Sequence, residues 1–368
     1  MQNTIQAPLT LKAAILLLVV VATVLIFPSC KKCELIEQVI TDPPVDTMAT
    51  CEGVFYINEA GPDIDLSFFF NEFNKPIPSP FEYAAGPGPN PVGTLVYNIE
   101  SNFSAYDSIN RQYVFEYYYT NGGPVEVLFH HQNIATGVAT FTSPMTAYAA
   151  PVFLNGALYA IQTELVNTSV LYQIFQLNPV TGQQLGLMYS GFLTANSPFT
   201  AATMSSVSNG RDLIYFLSGT TLVELNVENL VAKQINLEPN FHPVDNVVQF
   251  FGLEYKRDEN LLIAMKNSSI NMASTRTDLV SIEPAFSTAT VTQLFNITAN
   301  LPVGQDGQIN AEFYSSTFDP CDNTYYITER QEVNPATTNF FEINLNTSAF
   351  TARLFSGYWY GNEYSEVK

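Results

Sequence analysis

Three histidines are the first candidates for proton transfer or metal binding in this chain of 368 residues. His130 and His131 are adjacent in FHHQN, whose composition predicts a β-strand. Successive side chains of a strand point to opposite faces, so these two imidazoles cannot hold one ion together. His242 lies with Asp245 in NFHPVDN, where it could act as the general base of a lactonase or lyase. The alternative is a solvated loop histidine.

Acidic loops offer oxygen ligands for calcium. Asp319, Asp322 and Asn323 in FDPCDN, or Asp306 in VGQDGQ, could supply them, yet neither segment has the 12-residue spacing of an EF-hand. The alternative is that these residues form hydrogen-bonded turns between strands. We assign no catalytic residue and expect no cofactor, with calcium left open.

Aromatic residues near the C-terminus suit ligand binding better. Tyr358, Trp359, Tyr360 and Tyr364 could form a stacking platform for a sugar or peptide, with ordinary burial as the alternative. Residues 63–93 carry an aromatic cluster followed by many prolines and could form a loop or cap over one face of the fold, although we favour packing of Phe68, Phe69 and Phe70 into the core.

The charge balance limits the partners. Lys and Arg number 14 against 34 Asp and Glu, a formal net charge of −20, and the basic residues do not cluster. Nucleic-acid binding draws its affinity from clustered cations, so we exclude nucleic acid as a partner.

A hairpin motif recurs along the chain. It consists of an apolar strand, a polar residue, a short turn and a second strand. The polar residues are Asn133, Asn178, Asn226, Glu283 and Asn344, and the residues three positions later are Thr136, Thr181, Asn229, Phe286 and Thr347. Asn and Thr side chains hydrogen-bond turn backbone, which explains their place in a tight hairpin.

A second marker recurs in step with the hairpins, because a polar turn leads into a β-rich run before each of them. The anchors Tyr113, Leu158, Leu213, Leu261 and Tyr325 are separated by 45, 55, 48 and 64 residues. A period near 50 residues with several strands per unit indicates a β-propeller. We predict an all-β fold, a single β-propeller over 53–368, with six blades expected and five or seven as alternatives. The sixth would combine 53–59 and 94–101 with the C-terminal strand.

The hairpins resemble those of the quinoprotein-like and YVTN-type propeller families, which read Leu-Asp-x-x-Thr-Gly. The best copies are 177–182 and 132–137. The resemblance implies the fold alone. Quinone-dependent members dock their blades with tryptophan-rich motifs, and this chain has a single tryptophan, so that activity is not carried over.

The N-terminus reads as a targeting signal. An apolar run covers 13–27, preceded by Lys12 and followed by Pro28, Ser29 and Cys30. LIFPSCKK resembles the lipobox of Bacteroidota lipoproteins, which implies lipidation of Cys30. Residues 1–29 would then be the signal peptide and 30–52 a tether, in the cell envelope and at the outer rather than the inner membrane. An ordinary signal peptide and an uncleaved anchor are the alternatives.

The remaining cysteines are odd in number if Cys30 carries lipid. Of Cys33, Cys51 and Cys321, we favour a disulfide between Cys51 and Cys321, with Cys33–Cys51 or three free thiols as alternatives.

These observations predict a lipid-anchored extracytoplasmic propeller, attached to the membrane by its lipid, that binds a protein or glycan ligand without catalysis. The competing prediction is a calcium-dependent propeller hydrolase or lyase.

Overall fold

The computed structural model describes the following part of the chain. The ranges are 53–60, 68–74, 81–84, 104–119, 126–134, 136, 138–143, 148–167, 169–193, 204–237, 246–270, 274–285, 288–301, 307–311, 314–331, 337–356 and 358–366. The predicted signal peptide and tether, residues 1–52, lie outside these ranges. For the strands before Ser104 and after Ser356, only the backbone pairing is described.

Within the described ranges, five consecutive antiparallel sheets of four strands follow one another, and each is a blade. The first and second are β4 (Ser104–Asp107), β5 (Gln112–Tyr119), β6 (Glu126–Asn133) and β7 (Val138–Thr142), then β8 (Ala149–Leu154), β9 (Ala157–Val166), β10 (Ser169–Leu177) and β11 (Gln184–Phe192). The third and fourth are β12 (Ser205–Ser208), β13 (Leu213–Ser218), β14 (Thr221–Asn226) and β15 (Val231–Asn236), then β16 (Asn246–Lys256), β17 (Leu261–Ile270), β18 (Ser274–Pro284) and β19 (Ala289–Asn296). The fifth is β20 (Tyr314–Asp319), β21 (Thr324–Gln331), β22 (Thr337–Asn344) and β23 (Ala349–Ser356).

A further four-stranded sheet joins the two ends of the described chain. Its order is β24-β1-β2-β3, with β1 (Gly53–Ala60), β2 (Phe68–Asn74), β3 (Phe81–Ala84) and β24 (Tyr358–Glu366). Strands β2 and β3 lie in the segment 63–93, so these residues do not form the loop or cap that was the less favoured alternative. Packing of Phe68, Phe69 and Phe70 into the core stays a prediction. The aromatic residues there favour extended backbone. The expected strand at 94–101 lies outside the described part of the chain.

The first strand of each blade lies beside the first strand of the next, so β4, β8, β12, β16 and β20 follow one another around an axis. Strand β24 lies beside β20 and also beside β4. The predicted all-β single propeller is confirmed. Five consecutive blades are described, so the expected number of six is wrong and the alternative of five agrees with the structure.

Apolar cores fill the space between neighbouring blades. Ile174 of the second blade packs in one buried cluster with Phe216 and Leu225 of the third. Similar clusters join the first to the second blade, the third to the fourth and the fourth to the fifth. A sheet buried on both faces needs continuous apolar strands, as in Leu213–Ser218, where all residues after the first are buried. Burial of each such side chain contributes roughly 1.5–3 kcal/mol.

The described residues include one helix, the three-residue 3-10 turn Thr298–Asn300. None of the helical structure seen in that part of the chain has the length and apolar character needed to cross a bilayer.

The recurring hairpin has the local chemistry that the sequence predicted. Asn178 Oδ1 accepts hydrogen bonds from the backbone N–H groups of Val180 (2.9 Å) and Thr181 (3.1 Å). Asn344 Oδ1 accepts from the N–H groups of Asn346 (3.1 Å) and Thr347 (2.9 Å).

Two further copies of the hairpin follow the same rule, through Asn133 and Asn226. The copy with Glu283 differs. Its hairpin is closed by a backbone hydrogen bond from the Ala285 N–H to the Thr288 carbonyl (2.9 Å).

Candidate functional site

One end of the ring carries two turns from each blade. Because the four strands of a blade are antiparallel, the turn between its first two strands (the inner turn) and the turn between its last two strands (the outer turn) lie at the same end. Backbone hydrogen bonds join them, from the Val227 N–H to the Asp212 carbonyl (2.9 Å) and from the Leu345 N–H to the Asn323 carbonyl (2.8 Å). We call this end the turn face.

Inner turns of neighbouring blades also contact one another. Asn155, in the second blade, donates its side-chain N–H to the Arg211 carbonyl of the third (2.9 Å). Gly156 sits against the first blade, where a Cβ atom would lie 2.7 Å from the Asn110 amide nitrogen. Gly210 of the third blade lies against the guanidinium of Arg257 of the fourth. The inner turns therefore form one connected arc through four blades.

Two acidic residues of this arc are bound by neighbouring amide groups. Asp107 accepts from the Ile109 N–H (2.9 Å) and from the Asn110 side chain (2.6 Å). Asp212 accepts from the side chains of Asn209 (3.2 Å) and Asn226 (2.7 Å). The hydrogen bonds to these two carboxylates hold the turns in one conformation.

The cations of the described residues differ in their partners; Lys266, for example, lies over the ring of Phe250 (5.4 Å to its centroid). Four lie within ion-pair distance of a carboxylate, in the pairs Lys233–Glu224 (3.0 Å), Lys256–Glu259 (2.5 Å), Arg276–Asp278 (2.7 Å) and Arg353–Glu342 (3.1 Å). By contrast, Arg211 and Arg257 are exposed, and neither forms an ion pair with any described residue. Neither arginine was predicted as a site residue from the sequence. The available signal was a cation in a polar turn of an acidic chain, in GRD at 210–212 and in KRDEN at 256–260.

The buried histidine pair lies in β6 of the first blade. His130 is opposite Phe115 and His131 is opposite Val114, so the two imidazoles occupy opposite faces of the sheet, as predicted. Burial lowers the pKa of His130 to about 4; a hydrogen bond with Gln132 opposes this shift, and the neighbouring imidazole adds to it. Burial also lowers the pKa of His131. Both side chains are therefore neutral near pH 7.

The side chain of His131 is almost completely enclosed. Its Nδ1 lies 3.4 Å from the Thr140 hydroxyl, and its Nε2 has no hydrogen-bond partner among the described residues. Only 5% of the residue is exposed. His242, the other candidate base, lies outside the described ranges.

The acidic loop FDPCDN forms the inner turn of the fifth blade. Asp319 Oδ1 accepts from the Cys321 N–H (2.8 Å), the Asp322 carbonyl accepts from the Asn344 side chain (2.9 Å), and Asn323 donates to the Asn346 side chain (2.7 Å). These bonds agree with the turn-forming alternative. Among the described residues there is no group of three His, Cys, Asp or Glu side chains that could hold a metal ion. Asp306 lies outside them.

Cys321, in the same turn, is disulfide-bonded. The other three cysteines of the chain lie outside the described residues, so its pairing with Cys51 stays a prediction, as does lipidation of Cys30.

The four C-terminal aromatic residues all belong to β24. Tyr358 is opposite Ala60 and Tyr360 opposite Asn58, whereas Trp359 is opposite Glu59 and Tyr364 opposite Phe55. The pairing describes the backbone only, and ligand binding by these four residues stays a prediction.

A hydroxyl clamp, which was not predicted from the sequence, joins the fourth blade to the fifth. Strand β16 bulges at Gly252, which has φ +65°. The Gly252 N–H donates to the Tyr314 hydroxyl (2.7 Å), and the Tyr325 hydroxyl donates to the Gly252 carbonyl. The Ser316 hydroxyl donates to Glu254 (3.2 Å). A glycine inside an otherwise regular strand was the available signal for this feature.

Comparisons with known proteins agree with the fold. No family model matches the chain, and no curated protein matches it. TolB from Acinetobacter baumannii has a similar solved structure, with 10% identity and a TM-score of 0.52 over 85% of this chain and 66% of TolB. The structure of YjhT matches at 14% identity and a TM-score of 0.46, over 81% of this chain and 97% of YjhT. The chain thus spans just under two thirds of the TolB structure, and the likeness shows the propeller fold alone.

Proposed function

We propose that this protein is a lipid-anchored, extracytoplasmic β-propeller that binds a protein or glycan without transforming it. The observation that carries the proposal is the turn face, where inner turns of successive blades contact one another and hold polar groups in fixed positions. A surface that is already ordered loses little conformational entropy when a partner binds. A propeller with this surface is suited to recognition of a partner. Binding residues commonly lie on loops that a rigid scaffold holds in place.

In this proposal, the sheet that both termini share closes the ring of blades. The support is the position of β24 beside both β20 and β4, together with its pairing to β1. Closure through both ends of a chain leaves no blade face open to water. A disulfide from Cys51, two residues before β1, to Cys321 in the neighbouring blade would reinforce this closure.

Membrane attachment rests on the leader and on Cys30. Replacing Cys30 with Ser should abolish metabolic labelling by a palmitate analogue and release the protein from the membrane fraction. The full-length wild-type chain, expressed in a bacterium with lipoprotein processing, is the reference. Unchanged labelling of Cys30→Ser would contradict the anchor and, with it, the envelope location at the outer membrane.

Binding without catalysis is tested by calcium and by ligand capture. We expect the unfolding temperature to be the same in calcium and in EDTA, and we expect cross-linking in the native envelope, or a glycan array, to yield a saturable partner. A ligand that binds only the folded state raises the free energy of unfolding by RT ln(1 + [L]/Kd), where [L] is the free ligand concentration. A rise of several degrees in calcium, accompanied by hydrolysis or elimination of a captured ligand, would overturn the proposal in favour of the enzyme.

A further inference from the structure

We infer that Arg211 and Arg257, on neighbouring inner turns of the turn face, form a docking site for an acidic segment of a partner protein. This inference rests on the proposed binding function and names the chemistry of the partner.

The first step is the contact between the two turns. Gly210 has φ +73°, and a Cβ atom there would lie 3.5 Å from Nη2, 3.6 Å from Cζ and 3.8 Å from Nε of Arg257. These three nearly equal distances show that the guanidinium lies flat against the glycine. This glycine has two roles, because it permits the left-handed turn and leaves room for the guanidinium.

The second step is the rigidity of the backbone that carries Arg211. Asn209 Oδ1 accepts from the N–H groups of Arg211 (2.9 Å), Asp212 (3.0 Å) and Leu213 (3.0 Å). The Arg211 carbonyl accepts from Asn155 of the preceding blade (2.9 Å). Four hydrogen bonds therefore fix the turn from both sides, which leaves only the arginine side chain to be ordered on binding.

The third step is charge. Asp212 is bound by two amide side chains, and Glu259 lies 2.5 Å from Lys256. The exposed carboxylate of Asp258 follows Arg257 in the chain but forms no ion pair with it among the described residues. In a chain with 34 acidic residues, two arginines on neighbouring turns that have no carboxylate partner among the described residues are a local exception. Each guanidinium presents donors whose geometry matches a carboxylate.

The fourth step selects the partner. The net charge of −20 repels an extended polyanion over a Debye length of about 8–10 Å at physiological salt. A short segment with a few carboxylates experiences less of this repulsion and can still reach both arginines. An acidic stretch of polypeptide therefore fits better than a nucleic acid or an anionic membrane, and an uncharged glycan would not use the two guanidinium groups.

The test uses fluorescence anisotropy of the full chain with a labelled octapeptide of alternating Asp and Glu, and with an octapeptide of alternating Asn and Gln. The double variant Arg211→Gln and Arg257→Gln is compared with a control that removes the same charge from paired arginines, Arg276→Gln and Arg353→Gln. Truncating an arginine at the centre of an interface commonly lowers affinity about fivefold or more. We expect about tenfold or more weaker binding of the acidic peptide for the first double variant, and a change of less than about twofold for the control.

Two further measurements complete the test. Raising NaCl from about 50 to 200 mM should weaken wild-type binding, because exposed ion pairs are screened. Arg211→Lys with Arg257→Lys should keep the charge but recover only part of the affinity, since lysine lacks the planar donor pair.

Equal binding of both peptides, or an equal loss in both double variants, would overturn the inference. Binding of phosphatidylglycerol vesicles through the same arginines, without peptide binding, would also overturn it and assign the site to anionic lipid. If the arginine variant still captures its envelope partner or glycan, this inference fails while the proposed binding function stands. If the wild-type chain binds no protein or glycan at all, the proposed function itself is wrong.

Discussion

Two buried regions handle polar groups in opposite ways. In the hydroxyl clamp between the fourth and fifth blades, the backbone N–H and carbonyl of Gly252 both have tyrosine partners. In β6 of the first blade, His130 and His131 are buried where the surroundings favour their neutral form. The clamp adds directed hydrogen bonds to the junction between two blades. The histidines, by contrast, make the stability of the first blade depend on pH. Buried hydroxyl groups, which do not titrate near pH 7, thus stabilise their junction at any pH of that range, whereas the contribution of buried imidazoles changes with pH.

The clamp is broken most severely by Gly252→Ala. A Cβ atom would lie 2.6 Å from the Tyr325 hydroxyl and 2.8 Å from Met265 Cε, and alanine would have to adopt φ +65°. Both neighbours are fully buried. Overpacking, left-handed backbone and a disturbed hydrogen bond together should lower the free energy of unfolding by about 4 kcal/mol. Urea denaturation measures this change.

Ala150→Gly is the matched control, because Ala150 occupies φ +48° in β8, another first strand. Removing its Cβ relieves backbone strain but increases the freedom of the unfolded chain, so the net change should stay below about 1 kcal/mol. A similar small effect for Gly252→Ala would show that the clamp is not tightly packed.

The buried histidines of β6 should lower the free energy of unfolding in mild acid. The unfolded chain takes up a proton near the ordinary pKa of 6.5, whereas His130 in the folded protein does so only near pH 4. The unfolded state therefore binds more protons in this window, and the contribution is complete above pH 6.5 and lost as the pH falls to 4. For this residue the loss approaches about 3 kcal/mol.

His130→Gln removes the titrating group and should flatten the curve between pH 6.5 and 4 relative to wild type. Urea denaturation at pH 7, 5.5 and 4 gives the comparison. Parallel curves for wild type and variant would mean that water reaches the imidazole and that its pKa is near normal.

A milder change to the clamp is Tyr314→Phe. It keeps the ring, which packs edge-on against Phe251, but removes the acceptor of the buried Gly252 N–H. Leaving one buried donor without a partner should cost about 1 to 2 kcal/mol in urea denaturation.

Tyr255→Phe serves as the control, since that hydroxyl bonds to Asn260 at an exposed position. It should change stability by no more than about 0.5 kcal/mol. Equal effects for the two tyrosines would place the clamp hydroxyl in contact with solvent.

The outer turns and the repeat of hairpins were predictable because their causes are local. Asn178 and Thr181 bond to the backbone within a few residues, and the same short pattern recurs in Asn344 and Thr347. Such bonds need no distant partner, so a single stretch of sequence contains all the information for them. The opposite faces of His130 and His131 follow likewise from the alternation of one strand.

The sequence by itself determined that this chain is a ring of repeated antiparallel sheets, since turn chemistry and a period near 50 residues are properties of adjacent residues. Only the tertiary structure decided that Gly252 meets tyrosines more than 60 positions away, and that Gly210 lies against the guanidinium of Arg257. These contacts depend on how neighbouring blades are rotated against each other, and side-chain packing between blades sets that rotation. The blades follow from local rules, and the surfaces where they meet follow from their assembly.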